Sequence, residues 1–231
     1  MQDMRTAVDP DGLLEYSVVF TDRSLNHMSA AFQGVMRDIS ATLTKVYGAD
    51  CMAIVPGGGT FGMEAVARQL GTGKNCLVLR NGWFSYRWSQ IFEAGGIPAN
   101  ESVLMARQVS GDNQAAFEPA PIAEVVQHIR DTKPDVVFAP HVETSAGLML
   151  PDDYIRQVGA AVREVGGLFV LDCIASGTGW VDMADCNVDV LISAPQKGWS
   201  SSPCGALVRM NSRAREVVAH SKSTSFAGDL K

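Results

Sequence analysis

The chain has 231 residues, 46% of them hydrophobic, with a net charge of −6 and five scattered cysteines. That length can bury a large core and suits one α/β domain. No cluster of basic residues supplies the electrostatic footprint that nucleic acid or an acidic membrane surface requires, so a small-molecule partner is expected. Cys51, Cys76, Cys173, Cys186 and Cys204 show no CxxC spacing and the four histidines form no constellation, so neither a disulfide framework nor a metal site is expected. The apolar runs are short of the ~20 residues a membrane-spanning helix needs. The opening MQDMRTAVDPDG has neither the basic end nor the apolar stretch of a secretion signal, and a cytoplasmic location with reduced thiols is expected.

Taken in chain order, apolar residues recur at Phe32, Val35, Ile39, Leu43 and Val46, the spacing of an amphipathic helix over 29–47. Strand and helix patterns alternate after it. CMAIV at 51–55 reads as a strand, GGGTFG as a turn, and 63–70 as a helix stopped by Gly71. CLVLR is a second strand, followed by a helix over 84–93 and a short strand near Val103, while the polar stretch 107–118 reads as loop. Pro121 suits the first turn of the helix IAEVVQHIRDT, where its missing donor is not needed. DVVFAP and a helix over 152–165 come next. The runs at 168–171 and 188–192, apolar apart from Asp189, read as buried parallel strands, since both of their faces must be dry. GALVRM at 205–210 is a last strand and 212–219 a last helix. The serine-rich SKSTSF and AGDLK then read either as a loose tail or as the approach to a further domain missing from the sequence, and the second is preferred. The alternation predicts an α/β fold, one mixed, mainly parallel sheet with helices on both faces.

Two charged residues stand at strand ends. Asp172 closes GGLFVLD, and Lys197 follows the next strand in LISAPQKGW. An amine and a carboxylate emerging from neighbouring apolar strands are what pyridoxal phosphate chemistry needs: lysine forms the Schiff base and aspartate keeps the pyridine nitrogen protonated. Gln196, Trp199 and nearby serines predict a partly desolvated pocket for the amine, which favours its neutral, nucleophilic form. Alone, each has a plainer reading, Asp172 as a turn cap and Lys197 as a solvated surface lysine.

The glycine run is ambiguous. Gly57, Gly59 and Gly62 satisfy GxGxxG, and with Arg80 at the end of the next strand they suit an NADP-dependent oxidoreductase. Alternatively Gly58, Gly59 and Thr60 place backbone donors, a hydroxyl and a helix N-terminus around one phosphate. A flexible turn is the third reading. NGWFSYRW offers an aromatic to cover a flat cofactor, or ordinary core packing. HVETSAG brings Glu143, Thr144 and Ser145 to a strand end, where hydroxyls suit a ring oxygen or a plain turn, and His141 reads as a satisfied hydrogen-bonder. Cys173 reads as core filler.

In order, PGGGTFGMEA, NGWFSYR, HVETSAG, VLDCIAS and SAPQKGW resemble the class V aminotransferases, fold-type I pyridoxal phosphate enzymes that include alanine–glyoxylate and serine–pyruvate aminotransferases. HMSAAF at 27–32 is similar to that family's HRSPEF segment. The resemblance implies transamination between an amino acid and a 2-oxo acid such as glyoxylate or pyruvate, in a homodimer using pyridoxal 5'-phosphate. It makes Lys197 the Schiff-base lysine and Asp172 the pyridine partner. Gly58, Gly59, Thr60 and Gln196 fall on phosphate-binding positions, Phe84 on the ring-stacking aromatic, Ile174 on the opposite face, and Thr144 near the ring oxygen. Gly58, Thr60 and Phe84 depart from the family's usual serine or histidine and tryptophan, and Gln196 argues against the cysteine desulfurase branch, which has histidine there. By this resemblance 1–231 is the cofactor-binding large domain with its N-terminal segment, the C-terminal small domain is absent, and a fragment that binds cofactor without turnover is the alternative.

Overall fold

The computed structural model describes residues 27–231. The opening segment read for a secretion signal lies outside them. Two compact units divide the chain, 1–39 and 40–231. In the first, the described part is a short turn and the start of helix α1 (Ala30–Tyr47), where Ser29 Oγ accepts from Phe32 N at 3.1 Å and caps the helix.

The second unit carries the sheet. After α1 come β1 (Cys51–Pro56), α2 (Gly59–Val66, continued by a π turn, Ala67–Gly71), β2 (Asn75–Arg80), α3 (Trp83–Gly95) and β3 (Asn100–Met105). A small hairpin, β4 (Arg107–Gln108) and β5 (Phe117–Glu118), occupies the stretch expected to be loop. Then follow α4 (Ile122–Thr132), β6 (Val136–Pro140), a second hairpin of β7 (Val142–Glu143) and β8 (Leu148–Met149), α5 (Asp152–Glu164), β9 (Leu168–Asp172), β10 (Val190–Ser193), β11 (Gly205–Met210) and α6 (Ser212–His220). Among the described residues seven strands form one sheet in the order β1-β11-β10-β9-β6-β2-β3, and only β11 runs against the rest. This is the mixed, mainly parallel sheet expected.

Alternation of side chains across the strands makes two cores. Val78, Phe138, Val170, Ile192 and Val208 pack on one face with Met63 of α2, Trp88 and Phe92 of α3 and Val218 of α6. Leu77, Leu79, Val137, Phe169 and Leu171 face the other way, against Ile129 of α4 and Ile155, Val158 and Val162 of α5. The runs at 168–171 and 188–192 do pair in parallel, from Val190 onward past Asp189, with Val190, Leu191 and Ile192 opposite Val170, Leu171 and Asp172. Their strands are buried throughout, as continuous apolar sequence between two helical layers requires.

The glycine run differs from its reading as a turn, because α2 begins at Gly59 within it. Gly57 has φ +119, and a Cβ there would stand 2.6 Å from the Phe61 ring, so the tight exit from β1 needs glycine. A Cβ on Gly62 would collide with that of Ala206, so its absence lets α2 lie directly on β11. The C-terminal tail is docked rather than loose at its end: Leu230 is buried in the first core, and its N–H donates to Gln69 Oε1 at 3.3 Å. Among the described residues no helix is long and apolar enough to cross a membrane.

Candidate active site

Six parallel strands deliver their C-terminal ends to one edge of the sheet. The chain leaves β2 towards β3 but leaves β6 in the opposite direction, towards β9. Between β2 and β6 the loops therefore diverge, which is where open α/β sheets form ligand crevices. A cavity of about 140 Å³ opens at this edge. Gly59, Thr60, Phe84, Thr144, Asp172, Ile174, Gln196 and Lys197 line it together with Met63 and Arg87. Every site residue expected from the sequence is in that wall except Gly58, which caps α2 beside Gly59 with extended backbone (φ −147).

Asp172 sits at the end of β9, 8% exposed, and its Oδ1 accepts from Ile174 N at 2.9 Å. Burial raises its carboxyl from 3.8 to about 6; the Ile174 N–H opposes this, the charge of Glu143 adds to it, and that of Arg87 opposes it. Gln196 presents a buried Oε1 with no hydrogen-bond partner. Of the described residues with such an atom, Gln196 alone lines the cavity, where a ligand group could supply the missing partner; turning the amide over would offer two donors instead. Lys197 follows in a turn where its N–H donates to Ala194 O at 3.3 Å. Its side chain lines the cavity, but the residue is exposed, so the desolvated setting expected from its sequence neighbours is not formed around it. The reason is local: Trp199 packs towards Tyr47 and Trp180, with centroids at 6.4 and 4.9 Å, rather than over the amine.

The HVETSAG loop does more than supply hydroxyls. Glu143 is fully buried and takes hydrogen bonds from Phe84 N (3.1 Å), Ser85 N (2.8 Å), Ser85 Oγ (2.7 Å) and Ser145 Oγ (2.6 Å). Burial pushes its carboxyl up, but the hydroxyls of Ser145 and Ser85 and the N–H groups of Ser85 and Phe84 outweigh this and hold it low. Its charge sits at the N-terminus of α3, where the helix dipole favours it. One carboxylate thus fixes the loop bearing Thr144 to the helix bearing Phe84. Arg87 was likewise overlooked among the aromatics of NGWFSYRW, although three positions after Phe84 it must share that residue's helix face.

Other expectations hold in simpler form. His141 is buried, with Nδ1 2.8 Å from Ser176 Oγ, and burial lowers its pKa. Burial pushes the Cys173 thiol up to about 12, which suits core filler. The dinucleotide reading is corrected. Its fingerprint strand lies inside a parallel sheet, whereas β1 is an edge strand beside antiparallel β11. Arg80 donates to Ser89 Oγ and stacks 4.5 Å from the Tyr86 ring centroid, so it is engaged within its own helical layer.

No protein-family model matches the chain. It is 30% identical over 220 residues to an L-aspartate–glyoxylate aminotransferase of Paracoccus denitrificans, covering 94% of this chain and 51% of that protein. It is 32% identical over 213 residues to a 2-aminoethylphosphonate–pyruvate transaminase of Paraburkholderia xenovorans, covering 90% of this chain and 54% of that one. The fold matches a ureidoglycine–glyoxylate aminotransferase of Bacillus subtilis with a TM-score of 0.77 and 24% identity, over 90% of this chain and 52% of that structure. The chain spans about half the length of the curated relatives it matches. It is a homologue of the class V aminotransferases and has the large-domain fold of the fold-type I pyridoxal phosphate enzymes.

Proposed function

We propose that the chain binds pyridoxal 5'-phosphate through Lys197 and serves transamination between an amino acid and a 2-oxo acid such as glyoxylate or pyruvate. Residues 1–231 act as the cofactor-binding large domain of a cytoplasmic homodimer. One observation carries this reading: Asp172 and Lys197, delivered by adjacent parallel strands, line the same small cavity as the unpartnered Gln196 amide. The residues present fit the group, since a buried carboxyl held near 6 is suited to a protonated ring nitrogen and the orphaned amide to an anionic ester.

Bound pyridoxal phosphate supplies a carbonyl that takes amines covalently and a pyridinium that accepts the electron pair left at Cα. The chain supplies the rest. Gly58, Gly59 and Thr60 at the start of α2, with Gln196, hold the phosphate. Phe84 and Ile174 would hold the ring between them, Thr144 would offer its hydroxyl to the ring oxygen, and Asp172 would keep the proton on the ring nitrogen. Lys197 Nζ would be the amine that anchors the group, and as a free amine at the cavity wall it would serve as the base for the substrate's Cα proton. Its exposure leaves the amine reachable by a cofactor entering from solvent.

The test is direct. Purified chain mixed with pyridoxal phosphate develops a visible absorbance band, and Lys197→Ala abolishes it. A wild-type chain with no band, or a Lys197→Ala chain that keeps one, sinks the reading. Amino-group transfer from an amino acid to glyoxylate then separates a working enzyme from a domain that only binds.

A further inference from the structure

Arg87 lies one turn beyond Phe84 on α3 and has no part in the roles just assigned. It is half-buried and lines the cavity with Thr60, Phe84 and Asp172. Its Nη1 donates to Thr60 Oγ1 at 3.2 Å, and its guanidinium carbon is 5.5 Å from the Phe84 ring centroid. Among the described residues it forms no salt bridge. The cavity wall therefore holds a guanidinium cation that no carboxylate approaches within salt-bridge distance, although Asp172 shares the cavity and feels its charge.

The bond to Thr60 fixes the direction of a second donor. A guanidinium only donates, so the Thr60 oxygen spends a lone pair on Arg87 and its hydroxyl hydrogen must point elsewhere. Thr60 stands in the first turn of α2, whose leading N–H groups have no carbonyl partners within the helix. Hydroxyl, helix N-terminus and guanidinium therefore converge on one anionic group.

We infer that Arg87 is the counter-charge for the phosphate ester of the cofactor, acting both directly and by orienting the Thr60 hydroxyl; this rests on the pyridoxal phosphate reading given above. The tie to Thr60 favours the cofactor's phosphate over a substrate carboxylate as the anion. At this position a cation offsets the dianion that Thr60 alone, a neutral hydroxyl, leaves uncompensated.

Equilibrium dialysis of the full chain against pyridoxal phosphate and against pyridoxal tests it without recourse to turnover. Arg87→Gln weakens retention of the phosphate ester by about tenfold to a hundredfold and flattens its salt dependence, as expected for a lost charge-assisted bond. Binding of pyridoxal stays within about twofold, which also shows that the variant is folded. Arg87→Lys recovers part of the loss, and Thr60→Val costs less in the Arg87→Gln background than in the wild type, because the hydroxyl is no longer aimed. Equal loss of both compounds, or no loss of the ester, overturns the assignment to Arg87 while leaving the cofactor reading in place. A wild-type chain that retains neither compound overturns both.

Discussion

At Asp172 the folded chain holds a carboxyl at about 6 that begins at 3.8, and burial is the main cause. A folded-state value above the unfolded one means that the native state binds the proton more tightly. The group therefore favours folding fully only below about pH 4, and that advantage is lost as pH rises through about 6. At pH 7 the ionised form costs roughly 3 kcal/mol. Asp172→Asn, which keeps an acceptor for Ile174 N, is thus expected to stabilise the cofactor-free chain by up to about 3 kcal/mol at pH 7 and by little at pH 4. Urea unfolding at the two pH values measures it; a stabilisation that does not shrink in acid would assign the effect to packing instead. Under the proposed function the same substitution would also remove the charge that holds a proton on the ring nitrogen, so a more stable chain that binds or turns over worse is the expected combination. Position and chemistry of this residue were legible because it ends a dry strand, where a carboxylate has few structural excuses.

Elements were legible in proportion to how local their causes are. The strands at 168–172 and 190–193 follow from apolar runs alone, and helix α5 from its spacing. The start of α2 was not legible, since three glycines carry no helical preference and the helix begins there because Gly62 lets it rest on β11. Gly62→Ala is expected to cost about 1–3 kcal/mol by pushing α2 off Ala206 and, under the proposed function, to weaken phosphate binding with it, because the same helix presents Gly59 and Thr60. Denaturation and cofactor titration on one sample check whether the two losses move together. The role of Glu143 is not legible in its loop, because the N–H groups it caps come from a helix 58 and 59 positions away in sequence. Removing it by Glu143→Ala strands buried donors at the start of α3 and is expected to cost about 3 kcal/mol at pH 7. Its carboxyl is held low in the fold, so its contribution is present above its ordinary value of 4.5 and is lost as pH falls through the folded one. The penalty of Glu143→Gln, measured by thermal unfolding, should accordingly shrink in acid, the reverse of what Glu143 would show if burial dominated.

Across the whole molecule, the ends of the chain are where sequence pattern has least to say. The eleven residues after α6, nine of them polar or small, offer neither period, and nothing local distinguishes Phe226 from Leu230. The fold separates them completely: Phe226 is fully exposed, while Leu230 is 5% exposed in the core that backs α2. Gln69, in the π turn that prolongs α2, joins the two ends of this segment, donating to Ser221 Oγ at 2.8 Å and accepting from Leu230 N at 3.3 Å. Arg68 adds a bond to Thr224 Oγ1 at 3.4 Å. The tail is therefore a strap across the helix whose first turn faces the cavity, and its anchor is the leucine. Leu230→Ala is expected to lower stability by about 2 kcal/mol through lost burial and the cavity left behind, whereas Phe226→Ser changes it by less than about 0.5 kcal/mol. Chemical denaturation of the two variants side by side decides the matter. Equal, small effects would mean that the strap is not seated in solution, and the sites at Gly59 and Thr60 would then owe nothing to residues 221–231.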